Sequence, residues 1–331
     1  MTKYSYHASH EQFSPSQLVS FCKLAENHRF DAVFCSDHLQ PWATTQGNSG
    51  HLWSWLGAAM QATHHIAFST ITVPGGMRHH PVMVAQAMAT LEEMFPGRLP
   101  WIAFGSGEAL NEAALGGDWP PAPQRNQRLE EAAGIIRQLM RGQSVTDLGM
   151  FDLHDARIWV GSKNSPQLFG SAMTEATAHW VGGWADGLLT LGTDLGGLSK
   201  IINAFRQGGG RGKPVHVKID TCHGKSRPSA LEEAHRQWRY ACVERCKHHD
   251  LRTPEAFEAE SHTLKVEDMD RHVLIWTDAQ ELIDHLWACI QMGVGAINLH
   301  HVGIQQPAFI STVGSSVIPP LRLRERSTGN A

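Results

Sequence analysis

The stretch Ser36-Asp37-His38-Leu39-Gln40-Pro41-Trp42 follows directly on the apolar run Ala32-Val33-Phe34-Cys35 and puts a carboxylate, an imidazole and an indole at one strand end. An imidazole titrates near neutral pH, a neighbouring carboxylate can fix its tautomer, and an indole can cover a flat ligand or a sugar face. A second polar cluster, Gly105-Ser106-Gly107-Glu108-Ala109-Leu110-Asn111-Glu112, follows the run from Leu99 to Phe104. Two titratable groups at two strand ends can serve as an acid and a base. His38 and Glu108 are the candidate catalytic pair, with Trp42 beside them. Each cluster alone has a plain reading: the chain holds 21 histidines, and a carboxylate after a strand commonly caps a helix. Their placement after two strands points to one pocket.

The elements that would position these groups alternate. Strands are expected at Lys3 to Ala8, Ala32 to Cys35, Ile66 to Val73, Leu99 to Phe104, Leu168 to Ser171, Gly187 to Leu191, Val215 to Thr221 and Ala296 to His300. Between them, helix-period segments run from Ser14-Pro15 to about His28, and at Pro81 to Met94, Gln124 to Met140, Thr174 to Val181, Leu195 to Gln207, Ala230 to Lys247 and Ala279 to Met292. Eight strand-helix units predict an α/β fold, a TIM (β/α)8 barrel with insertions after several strands, whose function sits in the loops after the strands. The long connections Ser36 to Thr63, Gly105 to Arg125 and Cys222 to Arg271 should wall the pocket. Gly208-Gly209-Gly210 precedes a strand and reads as a turn on the opposite rim.

At 331 residues the chain fits one barrel, which runs to roughly 250 residues or more with insertions. We expect a single domain over 1–323 and a polar tail over 324–331. With 42% hydrophobic and 18% charged residues, the chain reads as folded rather than disordered. A net charge of −4 without a Lys/Arg run excludes the footprint of a nucleic-acid binder. No apolar stretch is long enough to span a bilayer or act as a signal segment, so no membrane partner and a cytoplasmic location are expected. Six cysteines form no CxxC pair. Cys242 and Cys246, near His248 and His249, read as one face of a charged helix rather than a metal site, so no metal is expected.

Five segments occur in an order that resembles the bacterial-luciferase-like oxidoreductases: Tyr6-His7-Ala8-Ser9-His10-Glu11-Gln12-Phe13, Ser36 to Trp42, His80-Pro81 with Ala85-Gln86-Ala87, Glu108 to Glu112, and Gly182-Gly183-Trp184-Ala185-Asp186-Gly187. The resemblance covers nearly the whole chain. It is similar to the glucose-6-phosphate dehydrogenases that use the deazaflavin coenzyme F420, and closer still to relatives of those enzymes that use FMN. It implies that Asp37 faces the cofactor, that His38 exchanges a proton with substrate, that Trp42 stabilises the reacting centre and that Glu108 is the second acid or base. It also implies a non-prolyl cis peptide at Thr70-Ile71 behind the flavin ring.

The cofactor would lie against Asp37, Thr70, Ile71, Ser106 and Gly107. Its phosphate would meet Met173, Thr174 and Glu175 at a helix start, beside Thr190, Leu191 and Gly192. Met173 and Thr174 stand where the dehydrogenases have two glycines, and Thr193 where they have a lysine that grips the sugar phosphate, which argues against glucose 6-phosphate as substrate. Glu11, His51, Trp53, Trp55, Asn111, Arg271 and His300 are the candidate substrate-binding residues. The expected activity is that of an FMN-linked oxidoreductase acting on a small alcohol or sugar-like compound by hydride transfer or oxygenation. The alternatives are a coenzyme F420-dependent alcohol or sugar dehydrogenase and a non-catalytic flavin-binding protein. The resemblance further implies a homodimer and, for oxygenation, a separate flavin reductase as partner.

Overall fold

Each of the eight apolar runs forms parallel strand, because a strand covered by helices on one side and by the barrel interior on the other is buried on both faces. The computed structural model describes residues 1–161 and 164–329; of Arg245 and Cys246 only the backbone is described, and Asn330 and Ala331, the end of the expected tail, lie outside the described residues. The strands are β1 (Lys3–Ala8), β2 (Ala32–Ser36), β3 (Ala67–Ile71), β4 (Val73–Pro74), β5 (Trp101–Gly105), β6 (Val145–Asp147), β7 (Leu153–Ala156), β8 (Gln167–Ser171), β9 (Gly187–Leu191), β10 (Val215–His223), β11 (Leu274–Trp276) and β12 (Ala296–His301). Nine of them run in the order β3-β2-β1-β12-β10-β9-β8-β5-β4 as a nearly closed barrel. β11 pairs in parallel alongside the last residues of β10, Thr221 to His223, and β6 and β7 form a separate hairpin that the sequence reading did not anticipate.

The third run, Ile66 to Val73, is two strands. Thr72 adopts a left-handed φ of 58° and breaks it into β3, which pairs with β2, and β4, which pairs with β5. A β-branched residue in that region is strained, by roughly 1–3 kcal/mol. The neighbouring strand makes room for it, since a Cβ on Gly105 would lie 2.2 Å from Thr72 Cγ2. All described peptide bonds are trans, so the cis bond implied for Thr70-Ile71 is absent and the bend lies at Thr72 instead. Across the break, Ala103 N donates to Thr70 Oγ1 (3.1 Å) and Phe68 N donates to the Arg98 carbonyl (2.7 Å). The Thr70 hydroxyl thus takes the place of a backbone ladder group and is not free to face a cofactor.

The lower barrel is plugged by aromatic rings. Trp101 stacks on Phe169 (4.8 Å), Phe169 on His216 (4.6 Å), and Phe34 meets Trp101 edge-on (4.5 Å). Burial pushes the His216 imidazole down to about 3, so it is a neutral part of this packing. Gly187 lets β9 approach that layer, because a Cβ there would lie 2.3 Å from the Phe169 ring.

Two boundaries differ from expectation. The helix expected over Ala230 to Lys247 ends at Trp238 and is followed by a 3-10 turn, Arg239–Cys242, and a short helix, Arg245–His248. The chain also stays helical through Ser327, beyond Arg324 where a polar tail was expected. Glu325 is buried there, accepting from Thr2 N (2.8 Å) and Tyr4 Oη (3.4 Å). No described helix is long and apolar enough to cross a membrane.

Candidate active site

His38 follows β2, and its ring nitrogens are held by groups from three segments. Nε2 lies 3.2 Å from Glu11 Oε1, just after β1. Nδ1 faces two partners, Asn111 Nδ2 at 3.3 Å and the Gln40 carbonyl at 3.2 Å. The Asn111 amide cannot be reversed without loss, because its Oδ1 accepts from Leu39 N (2.8 Å) and Gln40 N (3.2 Å). Its NH2 group must therefore donate, which assigns the neutral ring's proton to Nε2, on the Glu11 side. When the ring gains a second proton at Nδ1, the Gln40 carbonyl can accept it. Both protonation states of His38 have partners in place.

Glu11 is buried, and its Oε2 accepts from the Ser36 (2.6 Å) and Ser9 (2.8 Å) hydroxyls. Burial alone would raise this carboxyl, but His38 and the two hydroxyls outweigh it and hold it below the usual carboxylate range. Glu108 behaves oppositely. It precedes the short helix Ala109–Glu112 without capping it. Burial pushes its carboxyl up, the carboxylates of Glu11 and Glu112 add to the rise, and only His38 and Arg78 oppose it. One acid is held charged and the other toward its neutral form, the pattern of an acid–base pair.

Asp37 does not present a free carboxylate. Its Oδ2 is 2.7 Å from His79 Nε2, its Oδ1 accepts from Arg78 Nη1 (3.1 Å), and Arg78 Nη2 also reaches its carbonyl (3.0 Å). The same arginine donates through its backbone N–H and Nε to Glu112. Burial would raise the Asp37 carboxyl, but His79 and Arg78 outweigh it and keep it low. Arg78 thereby joins the loop after β2 to the short helix that follows Glu108. Sequence reasoning missed Arg78 and His79, although Arg78-His79-His80 follows an apolar run just as His38 does.

Trp42 is buried between His38 (4.7 Å), His248 (4.7 Å) and Phe257 (5.1 Å), with no partner for its Nε1. His300, on β12, contacts Asp220 (2.6 Å) and Gln12 (2.9 Å), under the Trp238 ring at 4.5 Å. Lys218 pairs with the same Asp220. Trp53 and the exposed His51 face His79 at 6.5 and 6.4 Å. Trp55 instead turns into the core, where it donates to the Pro15 carbonyl and packs on His10 and Phe68. Arg271 is exposed on the turn Val266–Arg271 and takes no part in these contacts.

On the other side of the rim, Ser171 Oγ lies 3.0 Å from Thr72 Oγ1, and Ile71 packs against the aromatic plug. Ser106 and Gly107, the latter at φ 83°, lead into Glu108. Met173 precedes the exposed Thr174, which caps the helix Glu175–Trp184 by accepting from Thr177 N. Thr190 is buried with no partner for its hydroxyl, and Leu191 and Gly192 follow it. Gly192 packs so closely on Val217 and Ile219 that a Cβ would lie 3.0–3.1 Å from them.

A family model described as luciferase-like monooxygenase matches residues 2–295. The coenzyme F420-dependent glucose-6-phosphate dehydrogenase of Microbacterium testaceum is 31% identical over 331 residues, 97% of this chain and 98% of that protein. Among solved structures, an F420-dependent secondary alcohol dehydrogenase in complex with an F420-acetone adduct superposes with a TM-score of 0.91 at 28% identity, covering 97% of this chain and 99% of that one. The FMN-bound oxygenating constituent of 3,6-diketocamphane monooxygenase from Pseudomonas putida superposes with a TM-score of 0.70 at 13% identity, covering 96% and 99%, a likeness of fold.

Proposed function

The chain belongs to the luciferase-like monooxygenase family and is a flavin- or deazaflavin-dependent oxidoreductase, and from that premise we propose that it is a coenzyme F420-dependent dehydrogenase of a small secondary alcohol. The alternative reading of the sequence thus takes precedence over the FMN-linked one. The observation that carries it is the Glu11–His38–Asn111 chain facing a Glu108 held toward its protonated form. A non-catalytic flavin binder has no use for acids tuned in opposite directions.

The residues present fit a deazaflavin. Thr190 offers a buried hydroxyl without a partner on β9, whose Leu189 carbonyl accepts from Ala172 N three residues before the helix Glu175–Trp184, where backbone amides attract an anion. Glu175 occupies the first turn of that helix and would repel the dianionic phosphate of FMN more than the singly charged phosphodiester of coenzyme F420. Arg128, packed beside Gly76 after β4, has a buried Nε without a partner, as does Arg125. These cations suit the acidic tail that FMN lacks, and they offset the scarcity of basic residues that favoured FMN from sequence alone. Thr174, Leu191 and Gly192 would complete the phosphate side, and Ser106, Gly107 and Ile71 would flank the ring.

A deazaflavin held there would supply the hydride acceptor. His38 would be the base for the alcohol proton, and Glu11, 3.2 Å from its ring, would offset the charge of the imidazolium. Glu108 holds or releases the second proton at its carboxyl. Trp42, with Phe257 and His248 behind it, excludes water from the reacting groups. The buried cations Arg78 and Lys218 are already paired with carboxylates, which favours an uncharged alcohol over a sugar phosphate.

The test is to mix the purified protein with coenzyme F420 or FMN, follow fluorescence quenching, and then add a panel of secondary alcohols and glucose 6-phosphate. The expected result is tighter binding of F420, reduced by a secondary alcohol and not by the sugar phosphate. Preferential binding of FMN would overturn the cofactor assignment, and reduction by the sugar phosphate would overturn the substrate class.

A further inference from the structure

We propose that Glu108, His248 and His249 form a site for one divalent transition-metal ion, represented by Zn2+, at the mouth of the pocket. His248 Nδ1 lies 3.9 Å from Glu108 Oε1, and donor atoms of all three residues lie within 4.8 Å of one another. Zinc bonds of about 2.0–2.2 Å in a tetrahedron set donors about 3.3–3.6 Å apart. The His248–Glu108 pair is thus within about half an ångström of that spacing, and no cap hydrogen bond ties the Glu108 side chain to the helix that follows it.

The two segments are already joined. Ala109 N donates to the His249 carbonyl at 3.1 Å, so the backbone following Glu108 is bonded to the histidine pair. His248 is further packed by Trp42 (4.7 Å) and Phe257 (5.2 Å). Two imidazoles and one carboxylate select zinc, nickel, cobalt or copper over calcium or magnesium. Three protein ligands leave a fourth position for water or substrate. This is not the cysteine-containing set weighed from sequence, since Cys242 donates to the Trp238 carbonyl and the Cys246 side chain lies outside the described residues.

Binding follows from the placement of the three residues alone. That the ion also inhibits rests on the proposed function, because it would occupy the carboxylate that handles a proton. The experiment is equilibrium dialysis of the cofactor-free full chain against Zn2+, and visible absorption with Co2+ as a coordination probe, for wild type and for His249→Ala, His248→Ala and Glu108→Gln. Far-UV circular dichroism confirms that each variant is folded; should His248→Ala fail to fold, the half-buried His249 and Glu108→Gln still report.

One ion per chain is expected, with a Co2+ spectrum of low coordination number. Each variant should bind more weakly by more than the roughly 10–100-fold that loss of a metal's outer partner costs. Absence of stoichiometric uptake, or wild-type affinity in the folded variants, overturns the site. Coenzyme F420 quenching on the same samples separates the two readings: a chain that binds zinc but neither flavin sinks the proposed function alone, and one that binds F420 but no zinc sinks this site alone.

Discussion

Glu11 Oε1 lies 3.2 Å from His38 Nε2, with the other carboxylate oxygen held by the Ser9 and Ser36 hydroxyls. The acid can neither swing away nor pick up a proton easily, so it is built to face a cation. His38→Ala should lower kcat by about 10²–10⁴-fold while the F420 dissociation constant changes only a few-fold. Glu11→Gln removes the charge that would offset the imidazolium, so kcat for alcohol oxidation should fall while F420 binding holds. Steady-state kinetics and F420 titration check both, and an unchanged kcat would leave Glu11 a merely structural role.

Glu108 carries a pH signature. Its folded pKa is raised chiefly by burial, so its contribution to stability is full below the ordinary carboxylate pKa, about 4.3, and is lost as pH rises through the folded value. Glu108→Gln should therefore stabilise the protein at neutral pH relative to wild type while lowering kcat. Thermal midpoints of both proteins at pH 4 and pH 7 measure this; equal differences at the two pH values would refute it.

Asp220 works the other way. The Lys218 charge and His300 outweigh burial and hold its carboxyl well below the usual range. Its stabilising contribution is present above the unfolded carboxylate value and disappears as pH falls toward the folded one. Asp220→Asn should leave Lys218 buried without a counter-charge and cost about 3–5 kcal/mol, measured by urea unfolding at pH 7.

Arg78→Met would take the cation from two buried carboxylates at once, leaving Asp37 with His79 alone and Glu112 without its ion-pair partner. A loss of about 3–5 kcal/mol is expected, together with a fall in kcat, since the loop bearing His38 and the helix after Glu108 lose their common anchor. Arg78→Lys should recover part of the stability and less of the rate, because a single ammonium cannot reproduce the forked geometry. Equal recovery of both would argue against a positioning role.

Thr70→Val keeps the shape of the side chain and removes the oxygen that accepts from Ala103 N. A buried amide left without a partner costs about 1–3 kcal/mol. Unchanged denaturant stability together with weakened cofactor binding would show that Thr70 serves the ligand instead.

Much of this arrangement was legible in the chain because barrel strands are short apolar runs followed by polar groups, and His38, Trp42 and Glu108 all stand at such junctions. Thr72 was not, because nothing in the composition of Ile66 to Val73 marks a threonine that must turn left-handed; the neighbour that accommodates it, Gly105, lies 33 positions away in the sequence. Asp37 was assigned to the cofactor because its ion-pair partners Arg78 and His79 come from a different strand end. Trp55 and Trp53 differ by only two positions, so on a helix they face different ways, and only packing against His10 decides which is core. The break at Trp238 was hidden by a helix-like pattern that continues through Lys247, and it is this break that turns His248 toward Trp42.

The first strand of the barrel lies between β2 and β12, and Glu325 accepts from Thr2 N, just before it, and from its Tyr4 hydroxyl. During synthesis, which runs at about 5–20 residues per second, β1 waits with one edge unpaired until β12, whose Ala296 pairs with Lys3, has been made. An exposed strand edge is a template for wrong pairing. Closure of the barrel around β1 is therefore a late event, and the chain made in the interval carries an open edge.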